Sequence, residues 1–227
     1  MYRYLTALYL IIFLSNCSTH STIPVLLLEE GESASGYAFS IENVFPYYYY
    51  QRGISDYSSV GFRIGLPIYG SGIDWNRVLF KRENRWDLLS LSWSLNHNPN
   101  IDFTYYKVRS RIAPNGNRTT FWLGFRAMYI PKGISGNTSS RIGLVIGTTI
   151  GSRLGLELGY CHDFSAMPIG KIFAFNWQHD SPANINSYGD KPHIDASGMP
   201  SEYSRLTGLS LKLSVRLSNA SNGGKKD

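Results

Sequence analysis

The densest run of reactive side-chain types in this chain is Phe175-Asn176-Trp177-Gln178-His179-Asp180-Ser181-Pro182-Ala183-Asn184-Ile185. It sets a histidine, a carboxylate and a hydroxyl side by side, the types that carry protons and, once activated, attack esters. Elsewhere the reactive residues are sparse. His20, His97 and His162 are dispersed and read as solvated side chains. No zinc-ligand spacing, phosphate-binding glycine loop, dinucleotide fingerprint or nucleophile elbow occurs. The two cysteines, Cys17 and Cys161, supply neither a disulfide framework nor a metal-ligand set. No metal and no cofactor are expected.

The His179-x-Ser181-x-Ala183 portion of that run resembles the signature of the outer-membrane lipid A 3-O-deacylases, which are small eight-stranded barrels. The resemblance spans under a dozen residues. It implies His179 as general base, Ser181 as nucleophile and Asp195 as the residue orienting the imidazole, with lipopolysaccharide as substrate. Pro182 stands where that family has asparagine, with Asn184 two places on, and the family's acid is a glutamate at a spacing that falls near His193. The same residues also read as a polar loop that begins after Trp177, with Asp180-Ser181-Pro182 as an ordinary turn.

The elements that must carry any such site follow a period of two. In the last, Leu209, Leu211, Leu213, Val215 and Leu217 share one face and Ser210, Lys212, Ser214 and Arg216 the other. Val60 to Ile68 alternates in the same way, as does Phe121 to Tyr129, less cleanly because Trp122 and Met128 fall on the polar side. Ile142 to Ile150 leads through Gly151-Ser152 into Leu154 to Tyr160, which predicts a tight hairpin with glycine at the first turn position. Tyr37 to Ile41, Leu89 to Leu95, Ile101 to Ile112, Phe173 to Trp177 and a weaker segment, residues 74–82, complete the candidates. No stretch sustains a helical repeat. The expected fold is all-β, a single antiparallel up-and-down barrel of eight to ten strands whose even count brings both chain ends to one side. The aromatic stretch from Phe45 to Asp56 and residues 180–203 read as loops at the opposite end. Aromatics at Tyr47 to Tyr50, Trp86, Tyr105, Tyr106, Tyr129 and Tyr160 suit interfacial girdles, or simply the abundance of tyrosine in strands.

Before the strands, Arg3 precedes an apolar run from Leu5 to Leu14, the charged and hydrophobic regions of a secretory signal. The run is too short to cross a bilayer as a helix, which takes about 20 residues. It closes with Leu14-Ser15-Asn16-Cys17, which resembles a bacterial lipobox, although Asn16 stands where that motif has a small residue. The resemblance implies acylation at Cys17 and, with Ser18 next, forwarding to the outer membrane. The chain thus divides into a signal peptide over residues 1–16, a tether over 17–35, the barrel over 36–217 and a polar tail over 218–227.

Composition limits the function classes. Hydrophobic residues make up 43% and aromatic residues 14%, against 17% charged, a balance suited to strands with one wet and one apolar face. The net charge is +6, but the basic residues are mostly scattered singly, with Lys81-Arg82 and Lys225-Lys226 as the adjacent pairs, so nucleic acid is not expected as a partner. Alternation by itself leaves two readings of the apolar face. It can meet membrane lipid, or it can line the cavity of a lipocalin-like lipoprotein that binds an apolar ligand. Abundant Gly and Ser with isolated charges at Arg63, Arg126, Arg153, Glu157, Lys212 and Arg216 suggest a crowded interior in which charges neutralise one another, and favour the first. The expectation is an exported bacterial outer-membrane barrel with a structural or surface-binding role and no large pore.

Overall fold

The computed structural model describes residues 22–40, 46–65, 70–95, 99–112, 118–131, 138–151, 153–164 and 208–217. Alternation fixes the elements. In most strands the residues of one parity are mainly small or polar and those of the other mainly aliphatic or aromatic, which only an extended backbone separates onto two faces. Ten strands result: β1 Ser33–Ser40, β2 Tyr47–Ser55, β3 Ser58–Gly65, β4 Gly72–Arg82, β5 Arg85–Ser94, β6 Asn100–Ile112, β7 Arg118–Ile130, β8 Ser139–Ile150, β9 Leu154–Asp163 and β10 Leu209–Arg216. Each pairs antiparallel with its sequence neighbours, and β1 closes on β10 with Gly36 opposite Arg216 and Ser40 opposite Lys212. The molecule is therefore a closed up-and-down barrel, and no helix is present among the described residues.

The number of strands agrees with the sequence reading, but the membership differs. The stretch read as an aromatic loop, Phe45 to Asp56, contains β2, because Tyr47, Tyr49, Gln51 and Gly53 alternate inward against Tyr48, Tyr50, Arg52 and Ile54 outward. Four consecutive tyrosines hide that alternation, since one residue type serves both faces. The candidate strand Phe173 to Trp177 lies outside the described residues.

The connections are unequal at the two ends. At the end holding the start of β1 and the close of β10, strands are joined by residues 56–57, 83–84, 113–117 and 151–153. At the opposite end they are joined by residues 41–46, 66–71, 95–99, 131–138 and 164–208. These are called the turn end and the loop end below. Gly151 has φ 65°, so the β8–β9 hairpin turns through a left-handed residue at the position the sequence indicated. Arg153, counted among the interior charges from the sequence, is exposed in that turn.

Residues 22–28, within the stretch read as a tether, fill the lumen. Ile23, Val25, Leu26 and Leu28 are each at most 7% exposed. Val25 packs with Val78, Trp86, Leu88, Tyr106, Val108, Trp122 and Val145, while Ile23, Leu26 and Leu28 pack with Ala34, Ala38, Tyr47 and Tyr49. The segment descends to Glu29 at the turn end. There Gly31, with φ 81°, donates its N–H to the Gly53 carbonyl and reverses the chain into β1. An eight-strand barrel has room for little more than its own side chains. Ten strands enclose a wider space, and this extended segment occupies it.

Candidate functional site

The lumen is built in layers. Toward the turn end Val78, Trp86, Leu88 and Val108 of β4–β6 point inward and hold the segment by contact. Toward the loop end they are polar and paired. Arg63 Nε donates to Asp74 Oδ2 at 2.8 Å, with both side chains fully enclosed, and Arg63 Nη2 donates to Ser92 Oγ at 2.8 Å. Arg141 lies 3.4 Å from Asp163, whose carboxylate also accepts from the Ser139 hydroxyl.

Between these layers sits the most connected cluster. Glu157 on β9 receives Arg126 of β7 at 3.0 Å, Lys212 of β10 at 3.1 Å and the Trp122 indole N–H at 2.9 Å. Arg126 also donates to Thr104 Oγ1 at 3.1 Å and to Tyr106 Oη at 3.0 Å. The luminal segment is clasped here. Thr22 Oγ1 accepts from Lys212 Nζ at 3.0 Å and from Arg126 at 3.3 Å, while the Thr22 carbonyl accepts from the Tyr47 hydroxyl at 2.9 Å. Two cations share one carboxylate, so neutral donors and acceptors complete the coordination that water would otherwise supply. Trp122 fits because Gly147 stands opposite it on β8, where a Cβ would collide with the indole ring. This explains why the Phe121–Tyr129 alternation looks imperfect in sequence.

Of the charges expected inside, Arg63, Arg126, Glu157 and Lys212 are buried, and Arg216 is half-buried at the turn end. Sequence reasoning missed Thr22, Asp74, Asp102, Arg141 and Asp163, all of them buried. Asp74 shares its parity with Asn76 on β4, and Asp102 shares its parity with Thr104 on β6. That signal was available. Several residues proposed for aromatic girdles instead point inward: Tyr47, Tyr49, Trp86 and Tyr106 are at most 4% exposed. Trp86 and Tyr106 share inward parity with Leu88 and Val108, and the luminal segment gives all four a surface to cover.

The outer face is the converse. Ile64 is 56% exposed and Leu123 48%, and Leu211 lies on the same outward parity of β10. With them Phe62, Ile73, Trp93, Phe103, Phe125, Leu144, Leu158 and Leu213 form a belt around the barrel. The lipocalin-like alternative required Ile64, Leu123 and Leu211 to line an interior cavity, and their outward direction overturns it. Soluble monomers rarely expose contiguous apolar patches beyond a few hundred Å². Tyr37 packs edge-on against Tyr48 at 5.7 Å, and with Trp93, Tyr129 and Tyr160 these rings lie on the outward face near the strand ends that lead into the long loops.

His179, Ser181 and Asp195 fall outside the described residues, as does Cys17, so the geometry neither brings the three together nor separates them. Comparisons with known protein families, curated proteins and solved structures return no match.

Proposed function

We propose that this protein is a bacterial outer-membrane β-barrel with a closed lumen, acting as a structural or surface-binding element and not as a pore. The observation that carries the reading is the apolar belt on the outside of a closed barrel, a face that water solvates poorly and lipid solvates well. The short turns at the end holding the start of β1 and the close of β10, and the long connections at the other end, support it, since outer-membrane barrels have short periplasmic turns and longer external loops. The secretory pattern from Arg3 to Leu14 is consistent with export. Residues 22–28 and the ion pairs around Glu157 fill the lumen, which accounts for the absence of a pore in this proposal.

The surface available for recognition is the loop end, where residues 164–208 form the longest connection. Refolding the purified chain into phosphatidylcholine vesicles tests the reading. The expected result is a compact, heat-modifiable species whose strands resist protease in vesicles, with no single-channel conductance. A chain that folds to a soluble monomer without detergent or lipid would overturn the proposal, and large open-channel currents would overturn its closed-lumen part.

A further inference from the structure

The outer face changes chemistry at the turn end of three adjacent strands. Along β6 the outward residues run Ile101, Phe103, Tyr105 and then Lys107, Arg109, Arg111. On β4 Arg77 follows Trp75 on the outer face, and Lys81 and Arg82 follow the exposed Leu79 and Phe80; β5 contributes Arg85. Every one of these seven cations is exposed. By contrast, none of the described outward residues in the loop-end half of the barrel is lysine or arginine. The β4–β5 hairpin also runs on past the Ser58–Arg77 pair at which β3 stops.

Register concentrates the charge. Arg82 stands opposite Arg85, and Arg85 opposite Arg109, so like charges are direct cross-strand neighbours, an arrangement that is unfavourable without counter-ions. The acids nearby do not balance it. Glu29 takes Lys81 at 3.0 Å, and Asp87, opposite Lys107, accepts the Tyr105 hydroxyl at 2.7 Å. Glu83 lies in the turn. Among the described residues, none of Arg85, Arg109 and Arg111 is in an ion pair. These three border an open groove of about 700 Å³ together with Asn84, Thr119 and Phe121. The groove thus offers guanidinium forks and neutral donors next to an aromatic ring that continues the apolar belt.

We infer that this groove docks the headgroups of anionic phospholipids, their phosphates held by Arg85, Arg109 and Arg111 and their acyl chains lying along Phe121 and the belt above. The inference rests on the membrane reading above. Guanidinium groups take phosphate in two-point hydrogen bonds, and a cationic band flush with a lipid-facing wall lies at headgroup height. The continuity of this band with the belt, on one strand face, favours a lipid over an acidic protein.

The test reconstitutes the full chain into vesicles of phosphatidylcholine alone and of phosphatidylcholine mixed with phosphatidylglycerol, then counts retained lipids by native mass spectrometry. The wild type should retain phosphatidylglycerol over phosphatidylcholine by on the order of tenfold. The R85Q/R109Q/R111Q variant should insert into phosphatidylcholine like the wild type yet lose that preference, whereas R52Q/R153Q, which removes exposed cations outside the groove, should keep it. R85K/R109K/R111K, which keeps the charge and loses the fork, should fall between and covers any folding defect of the glutamine variant. No preference in the wild type, an undiminished preference in the glutamine variant, or an equal loss in R52Q/R153Q would overturn the inference. So would competition by soluble polyglutamate as effective as that by lipid, which would make the groove a protein-docking surface. Failure of the wild type to insert into either vesicle would instead remove the membrane reading itself.

Discussion

Glu157 shows what a single buried acid does in this lumen. It offsets Arg126 and Lys212 and anchors the Trp122 indole, so its loss removes the carboxylate with which both enclosed cations pair. Breaking one side of a buried ion pair costs about 3–5 kcal/mol. Glu157→Gln should therefore lower the urea midpoint substantially, and adding Lys212→Met should recover part of the loss, because the second change removes one unpaired charge. If Glu157→Gln unfolds at the wild-type urea concentration, the cluster has no role in stability.

At the scale of elements, the luminal segment and the strand walls depend on each other. Tyr47, Tyr49, Trp86 and Tyr106 turn inward where residues 22–28 cover them, and the segment in turn is held by those rings, by aliphatic side chains such as Val78 and Leu88, and by the Thr22 clasp. Val25→Asp would put a carboxylate among Val78, Leu88 and Val108, at a cost of about 2–7 kcal/mol for an unpaired polar group and more for a charge. We expect a lower unfolding temperature and, in planar bilayers, current fluctuations absent from the wild type. On the outer wall, Leu158 of β9 has Ile146 and Leu211 as its outward neighbours. Leu158→Arg should reduce bilayer-inserted stability by about 2–4 kcal/mol under the membrane reading, as for arginine at mid-membrane depth. A soluble fold would tolerate the same change, so urea titration in vesicles separates the two.

For the whole molecule, closure is the governing fact. Ten antiparallel strands leave no free edge, so every described strand is paired on both sides. The barrel then has one wall to offer its surroundings and one space to fill. The wall is apolar with a basic margin on β4–β6, and the space is occupied by the chain's own residues 22–28 and by ion pairs. Thr22 is clasped by Tyr47 at the loop end of β2 and by Lys212, level with Ser40 at the loop end of β1. The chain therefore reaches β1 from within the lumen, and an acyl group on Cys17 would be at most about 18 Å of extended chain from that clasp. Under the lipoprotein reading, a labelled acyl group at Cys17 should be accessible from the loop side of reconstituted vesicles.

The amino-acid sequence by itself determined the all-β class, the approximate strand number and the division of most strands into an apolar and a polar face. Alternation of residue type is a local property of each strand, and a one-residue slip would invert it, so Leu209 to Leu217 or Val60 to Ile64 can be read without a partner. It did not reveal β2, whose four tyrosines carry no contrast between faces. Nor did it place residues 22–28, whose apolar run has no period and acquires a position only from the walls around it. The lumen's charges were legible as residues, but which carboxylate meets which cation depends on register between strands far apart in sequence, as with Arg126, Glu157 and Lys212. Most of all, alternation says that one face is apolar and the other polar without saying which is inside. Closure decided that: the lumen takes Gly, Ser, paired charges and the rings that cover residues 22–28, and most of the large aliphatic side chains turn outward.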